Sequence, residues 1–590
     1  MRYVDELTAA LRSQLAYALE LKDQLAYGLR ASLRDGYAWR DFRADAKSGL
    51  VVGVIALPLS LALAKTVGVA PQHGLYTAII AGIVCAVLGG TRMQITGPTA
   101  ACVVILEPVV TRHGLGGLLV AGMMAGVIMV AMGVARLGKL MQFIPHPVTT
   151  GFTAGIAVVI VLLQLRDALG LELASRPDGT LAYVQALWAA RATINGWEAL
   201  VCGVSVALLL GVPRVVKRIP APLIALAAVA ALVVVLEQLV PGFHVQTIGS
   251  VFSTKIDGEV VRGIPPLPPL PVIPWHLGDA SGAGFALTYD LVRELLPAAF
   301  AIAVLGAIES LMSAVIADGM AGTKHDPNSE LIALGLGNLV CPFFGGIAAS
   351  GALIRTATNV RAGARSPISS VIQALFLLAC TIALAPLMAY LPLAALAALL
   401  LVVARNLSEA RHFARLVRVA PRSDVLVLLT CFGLTVAFDM LIAVSVGVVL
   451  AALLFMRRMA VMTKITLDTS VTQQFDVPPG VRLYEIAGPL FFGAAQVAME
   501  TLEAVGEEAR TVILSMKQVN VMDATGLVAL SSVLDRLARG GRKVILAALQ
   551  PEPAGLLARY GIKRVPGQLA FAPDVETAIS MASVDEARGF

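Results

Sequence analysis

Residues 95–104 read ITGPTAACVV and residues 349–360 read ASGALIRTATNV. Each follows a Gly-Gly pair, Gly89-Gly90 and Gly345-Gly346, and each opens on a glycine among polar residues before turning apolar. Gly97 and Gly351 stand 254 residues apart. Two apolar segments interrupted by Gly and Pro, placed correspondingly in two halves of a chain, predict a transporter built on discontinuous helices. The start of each helix carries about half a positive charge and N–H groups without intrahelical partners, which suits an anion. Thr99, Ala100 and Ala101 in the first segment, and Gly351, Ala352 and Leu353 in the second, are small or flexible enough to let an anion reach the backbone. The competing explanation is that Gly and Ala only let helices pack closely, as they do in membranes.

Composition sets the class. Of the 590 residues 57% are hydrophobic and 14% charged, with a mean hydropathy of +0.81. From Gly49 to Val110 only Lys65, Arg92 and Glu107 carry charge, whereas soluble domains carry roughly one charge in four residues. A polytopic α-helical membrane protein is expected. The stretch Val481–Phe590 departs from this pattern with 23 charged residues in 110, and it is expected to form a separate soluble domain. The domain boundaries so predicted are a cytoplasmic N-terminal amphipathic segment 1–45, a membrane domain 46–458 and a soluble domain 478–588. The N-terminal segment repeats QLAY at Gln14–Tyr17 and Gln24–Tyr27 and mixes both charge signs, unlike a signal peptide.

Fourteen apolar runs lie between residues 49 and 456. Several are shorter than the roughly 20 residues of a full crossing, so half-helices or tilted spans are expected among them. Pro71 and Pro327, like the two Gly-Gly pairs, are 256 residues apart. Seven spans per repeat, an odd number, insert the second copy upside down, which predicts inverted repeats over about 46–245 and 296–458. Basic residues recur at alternate turns: Arg92, Arg136 with Lys139, Arg214 with Lys217 and Arg218, Lys324, Arg361 with Arg365, then Arg405, Arg411, Arg415, Arg418 and Arg422, then Arg457-Arg458. The positive-inside rule makes that side, and both termini, cytoplasmic. The net charge of +6 is thereby a matter of topology, and no nucleic-acid partner is expected. The proline-rich segment IPPLPPLPVIP (264–274) would face outward as a stiff connector.

Two charges fall inside apolar runs. Arg355 lies one turn into the second broken helix, and Glu309 lies within AFAIAVLGAIESLMSAVIADGM (299–320). Intramembrane charges are functional candidates. Arg355 could neutralise an anion or form a static pair with Glu309, and Glu309 could carry a proton. Lys65 is expected to snorkel toward the membrane surface. The six cysteines sit singly in apolar stretches as small core residues, the seven histidines show no metal spacing, and no phosphate-binding glycine loop is present. No metal, cofactor or enzymatic activity is expected.

The segments ALPLSLALAKTVGVAPQHGLYTA (56–78), GGTRMQITGPTAA (89–101), GAIESLMSAVIADGMAGTKHDPNSELIALGLGN (306–338) and SGALIRTATNVRAGARSP (350–367) resemble the sulfate permease (SulP) family, from about Asp41 onward. In detail they most resemble its bacterial members that carry C4-dicarboxylates. The resemblance implies 14 spans in a 7+7 inverted repeat, a core domain moving against a gate domain in an elevator-like cycle, homodimers, and a C-terminal α/β STAS domain. It places the anion site on Pro58 and Ser60, Thr99 and Ala100, and Gly351, Ala352 and Leu353, with Arg355 as its basic residue and Glu309 as its acidic one. Sodium-coupled bicarbonate members carry a further acidic residue where this chain has Ser313, so the resemblance favours protons over sodium. The tail segments VRLYEIAGPLFFGAAQVAME (481–500) and TVILSMKQVNVMDATGLVAL (511–530) alternate strand and helix patterns and resemble a STAS domain. Its DATG (523–526) puts Thr525 at a position phosphorylated in related domains, the alternative being a helix cap made by Asp523 or Thr525.

The resulting expectation is a proton-coupled secondary transporter of succinate, fumarate or aspartate in the bacterial inner membrane. The alternatives are a sulfate or bicarbonate transporter of the same fold, a passive anion channel, and a membrane protein whose STAS domain recruits a cytoplasmic partner.

Overall fold

The computed structural model describes residues 25–141, 145–173, 177, 179–216, 220–256, 259–277, 288–438, 440–462, 464–467, 477–490 and 509–587. The first QLAY copy and residues 491–500 of the tail motif lie outside them. The chain divides into two compact units, Met1–Val448 and Val449–Phe590.

In the first unit the helices are α1 (Tyr27–Arg34), α2 (Trp39–Val67), α3 (Gln72–Leu88), α4 (Ala100–Val134), α5 (His146–Leu169), α6 (Thr180–Ala189), α7 (Gly196–Val215), α8 (Ala221–Leu239), α9 (Tyr289–Ala321), α10 (Pro327–Val340), α11 (Leu353–Arg361), α12 (Ile368–Ala383), α13 (Leu393–Leu407), α14 (Ala410–Val419), α15 (Arg422–Ala437) and α16 (Met440–Met462), the last reaching into the second unit. Two-residue strands β1 (Thr96–Gly97) and β4 (Ser350–Gly351) precede α4 and α11, and an antiparallel hairpin β2 (Ser253–Ile256) and β3 (Glu259–Arg262) follows α8.

Every apolar run read from the sequence coincides with a helix. Among the described residues, seven helical segments are long and apolar enough to cross a membrane. The runs near 97–110 and 116–134 merge into α4, which breaks at Gly114, where φ 64° and ψ −167° leave the helical region and suit glycine. Pro108 lies one turn and a half earlier, so the first broken helix is short, as expected, and continues beyond its break. α11 is a true half-helix of nine residues.

The helices gather in two bundles: α2, α3, α4, α9, α10, α11 and α12 pack on one another, as do α5, α7, α8, α13 and α15. In the first bundle α4 and α10 touch backbone to backbone. A Cβ on Gly126 would lie 2.7 Å from the Gly335 carbonyl oxygen, and one on Gly335 would lie 2.6 Å from that of Gly126, so only glycine fits either site. The close-packing explanation of the glycines therefore holds here, away from the helix breaks.

Residues 25–37 pack on the first bundle. The Ala26 and Gly28 N–H groups donate to the carbonyls of Leu88 and Gly89 at 2.9 and 3.0 Å, and Arg92 pairs with Asp35 at 2.5 Å. Tyr37 donates to the Asp45 carboxylate at 2.8 Å, and burial, followed by this bond, pushes the Tyr37 phenol well above its ordinary value.

The second unit holds a five-stranded sheet in the order β5 (Lys464–Leu467), β6 (Val481–Ala487), β7 (Thr511–Gln518), β8 (Lys543–Ala547), β9 (Leu569–Ala572), with β5 antiparallel and the others parallel. The central strand β7 is buried over its first six residues, as a parallel strand covered on both faces must be. The helices α17 (Ala524–Arg539), α18 (Pro551–Tyr560) and α19 (Val575–Ala587) return the chain between or after strands, and two separate apolar cores form.

Candidate functional site

β1 and β4 pair antiparallel, Thr96 opposite Gly351 and Gly97 opposite Ser350. Each is followed within three residues by a helix, so α4 and α11 run away from the strand pair in opposite directions and both positive ends converge on it. Neither helix start carries a side-chain cap. Thr99 is the N-cap residue of α4, a position where threonine ordinarily bonds the helix N–H groups, but its hydroxyl is turned to Glu309 instead.

Thr99 Oγ1 lies 2.7 Å from Glu309 Oε2, Ser350 Oγ lies 2.5 Å from the same oxygen, and the two hydroxyl oxygens are 2.7 Å apart. The Cys102 thiol completes the group at 3.9 Å from Glu309 and 3.7 Å from Ser350, so this cysteine is more than core filler.

Arg355 is 2% exposed. Its Nη2 donates to the Pro98 carbonyl at 2.5 Å, while Nε and Nη1 have no hydrogen-bond partner. Glu309 and Arg355 make no direct ion pair, but their charges interact across the site. A Cβ on Gly97 would lie 2.9 Å from Arg355 Nη1, so the glycine of the first break makes room for the guanidinium of the second.

Of the other expected residues, Gly351 and Ala352 differ from the simple picture of open backbone. A Cβ on Gly351 would meet Gln94 Nε2 at 2.5 Å and the Ser310 Cα at 2.7 Å, so its open side is filled by packing. The Ala352 N–H donates to the Ile95 carbonyl at 2.8 Å, which leaves the α11 donors to begin at Leu353. Ala100 is the first residue of α4. Pro58 interrupts the interior of α2, and Ser60, fully buried two residues on, has a hydroxyl with no partner. No hydrogen bond joins Pro58 or Ser60 to the Glu309 group. Lys65, expected to snorkel, pairs with Asp167. Ser313 donates to Thr356, whose hydroxyl in turn holds the Ile95 N–H.

Sequence reasoning passed over the residues that brace the strand pair. Asn338 clamps Ala349 through both its amide atoms, at 2.8 and 3.0 Å, and Asn359 Nδ2 donates to the Met93 carbonyl at 2.8 Å. Glu330, buried on α10, accepts from the N–H groups of Gly90 and Thr91, the Thr91 hydroxyl, Gln94 Nε2 and the Ser310 hydroxyl, at 2.8–3.3 Å. The rule that selected Glu309, a carboxylate in an apolar run, selects Glu330 as well. Gln373 on α12 gave no such signal, yet it is 1% exposed and neither of its amide atoms has a partner. Among the described residues no group of His, Cys, Asp and Glu is arranged to hold a metal.

In the second unit Asp523 caps α17, accepting the Gly526 N–H at 2.7 Å, and Thr525 stands exposed beside it. The cap is thus made by Asp523.

The Sulfate permease family model matches residues 42–431, two thirds of the chain and the whole of the strand pair with its helices. The chain belongs to the sulfate permease family. Residues 472–578 match the STAS domain model. The chain is 38% identical over 531 residues to "Putative sulfate transporter YvdB" of Bacillus subtilis (strain 168), covering 89% of this chain and 95% of the relative. It is 30% identical over 557 residues to the bicarbonate transporter BicA of Picosynechococcus sp. (strain ATCC 27264 / PCC 7002 / PR-6), covering 90% and 92%. Its fold matches that of the murine Solute Carrier 26 family member A9 anion transporter in the inward-facing state, with a TM-score of 0.81 at 18% identity over 95% of this chain and 94% of that one. The transmembrane domain of a cyanobacterial BicA aligns with a TM-score of 0.58 at 27% identity, over 70% of this chain and 98% of that one.

This sulfate permease family member is therefore a multi-pass membrane anion transporter with a C-terminal STAS domain, related to transporters and not to enzymes. These relatives are a putative sulfate transporter and a bicarbonate transporter, so the narrower resemblance to C4-dicarboxylate carriers gains no support from them.

Proposed function

We propose that the chain is a secondary active transporter that moves a small inorganic oxyanion, sulfate or bicarbonate, in symport with a proton. The observation that carries this reading is the convergence of two uncapped helix starts on one strand pair beside a buried guanidinium with two unspent donors. Backbone N–H groups and one fixed cation suit a compact oxyanion. The anion would be held by the N–H groups at Thr99–Ala100 and at Leu353, in space bordered by Gly351 and Ala352, and by Arg355, with Pro58 and Ser60 on the facing helix.

Glu309 is the proton carrier in this reading. Three oxygens, of Thr99, Ser350 and Glu309, make three mutual contacts of 2.5–2.7 Å. The two hydroxyls bring two hydrogens, and a third comes only from a protonated carboxyl; each contact then contains one hydrogen. A C4-dicarboxylate is the second reading, resting on the motif resemblance. The remaining parts of the proposal are a bacterial inner-membrane location with both termini cytoplasmic, supported by the basic residues at alternate turns, and a homodimer, supported by family membership.

The test is uptake into proteoliposomes holding the full chain, with labelled sulfate and labelled bicarbonate, an imposed pH gradient, and competition by succinate, fumarate and aspartate. Concentrative uptake driven by the gradient is the expected result. Flux indifferent to the gradient would remove proton coupling, dissipative flux alone would remove active transport and leave a passive carrier or a channel, and competition by succinate stronger than by sulfate or bicarbonate would restore the dicarboxylate reading.

A further inference from the structure

α14 has the sequence ARHFARLVRV, and Arg411, Arg415 and Arg418 fall at i, i+4 and i+7. At 100° per residue they occupy an arc of about 60° on one face of the helix. All three are exposed, as are Arg405 before the helix and Arg422 after it. No ion pair among the described residues engages any of the five. The opposite face carries Phe413, Leu416 and Val417; Phe413 meets the Phe432 ring of α15 at 5.4 Å, and His412 meets His146 of α5 at the same distance. No residue of α14 is buried, and Val419 is 78% exposed.

This element cannot span a bilayer, since ten residues of helix reach only about 15 Å. It joins α13 to α15, both apolar, so it lies where those helices meet one surface of the membrane. Topological charge bias explains why arginines gather on that side, but it does not order them along one stripe of a helix whose other stripe is apolar. An amphipathic helix with guanidinium groups above and aliphatic side chains below is the form that rests in a headgroup layer. Guanidinium also binds phosphate oxygens through paired parallel N–H bonds, which lysine does not.

We infer that α14, with Arg405 and Arg422, is a binding site for the phosphate groups of anionic lipids. Its occupant is a phospholipid of the phosphatidylglycerol or cardiolipin class, held by Arg411, Arg415 and Arg418 while Val417, exposed on the far side of the helix from the arginines, contacts the acyl region. The site is separate from the strand pair and independent of which anion the protein carries.

The experiment titrates the purified full chain in neutral detergent with cardiolipin, phosphatidylglycerol and phosphatidylcholine, reading the midpoint of thermal unfolding. Wild type is expected to gain stability with the two anionic lipids and not with phosphatidylcholine. In Arg411→Gln/Arg415→Gln/Arg418→Gln the concentration of cardiolipin giving half the gain should rise about fivefold per arginine, about a hundredfold in all, from about 1 kcal/mol per basic residue near an anionic surface. Replacing Arg539, Arg559 and Arg564 of the second unit by Gln removes the same net charge and should leave the titration within threefold of wild type. Equal titrations for the α14 variant and wild type would overturn the proposal, as would equal stabilisation by phosphatidylcholine. An arginine-dependent response to a short RNA with none to cardiolipin would overturn it in favour of a nucleic-acid site.

Discussion

Thr99 and Ser350, which stand just before the two broken helices, place their hydroxyl oxygens 2.7 Å apart, and both oxygens touch Glu309 Oε2. Residues 251 positions apart in the chain thus share one carboxyl group. Glu309→Gln keeps the shape of the group and a hydrogen-bonding amide but holds no exchangeable charge. We expect it to fold normally and to lose the stimulation of uptake by an imposed pH gradient, while downhill exchange of labelled anion persists. A gradient response equal to that of wild type would remove Glu309 from the proton path.

Arg355 is expected to set affinity. Removing the guanidinium in Arg355→Ala deletes charge-assisted hydrogen bonding to the anion; with one such bond's worth of about 1.5–3 kcal/mol as the net loss, half-saturation should rise roughly 10- to 150-fold with a smaller effect on maximal rate. Gly97→Ala tests the same contact from the other side. Its new methyl would stand 2.9 Å from Arg355 Nη1 and must displace the end of that side chain, so it too should raise half-saturation, by less than Arg355→Ala. A change confined to maximal rate in both variants would separate Arg355 from substrate binding.

Much of this arrangement was legible in the sequence, because glycine and proline mark helix breaks and an apolar run makes any charge conspicuous. Gly97, Gly351, Glu309 and Arg355 stand out in that way, and the structure brings their segments together. What the sequence concealed are partners chosen by tertiary contact. Nothing local says that Gln94 fills the space above Gly351, that Ala352 spends its N–H on Ile95, or that Asp167 meets Lys65. In the second unit the alternation of apolar residues suffices for the sheet, whereas both Asp523 and Thr525 have the side-chain oxygen of a cap and only the folded turn brings that of Asp523 onto the Gly526 N–H.

Glu330 is a positioning residue for the strand pair. Its carboxyl oxygens accept five hydrogen bonds and hold Gln94 against Gly351, so the loop Gly90–Thr91 and the helix α9 are tied through one buried side chain. Glu330→Gln replaces an acceptor by an NH2 group that faces donors, leaving buried donors unmatched at about 1–3 kcal/mol each. A clear fall in thermal stability of the full chain is expected, together with loss of uptake. Unchanged stability would show that the five contacts are not what holds the loop.

Asp523→Ala and Thr525→Ala separate capping from regulation in the STAS domain. Asp523→Ala removes the acceptor for the Gly526 N–H and should cost about 1 kcal/mol, read as a lower unfolding midpoint. Thr525 is exposed, so Thr525→Ala should change stability by less than about 0.5 kcal/mol. Thr525→Glu adds charge at the start of α17 without removing the cap. If it alters uptake while Thr525→Ala does not, the position acts by charge; if neither does, Thr525 has no part in regulating transport.

Gln373 offers the sharpest division between stability and function. A buried amide with no protein partner costs about 1–3 kcal/mol. Its neighbourhood says where the compensation lies. A Cβ on Gly82 would touch the Thr96 carbonyl at 3.6 Å and Ala374 Cβ at 3.8 Å, and one on Gly97 would touch the Arg355 guanidinium, so α12 near Gln373 and α11 at Arg355 border the same strand β1. Three orphaned groups, those of Arg355, Gln373 and Ser60, therefore sit in one helical bundle with the broken helices. Gln373→Leu keeps nearly the same volume and removes the unpaired amide. We expect its unfolding midpoint to rise while its half-saturation for the transported anion rises severalfold, a gain in stability obtained at the expense of binding. If stability falls instead, the amide is satisfied in the folded protein and serves structure alone.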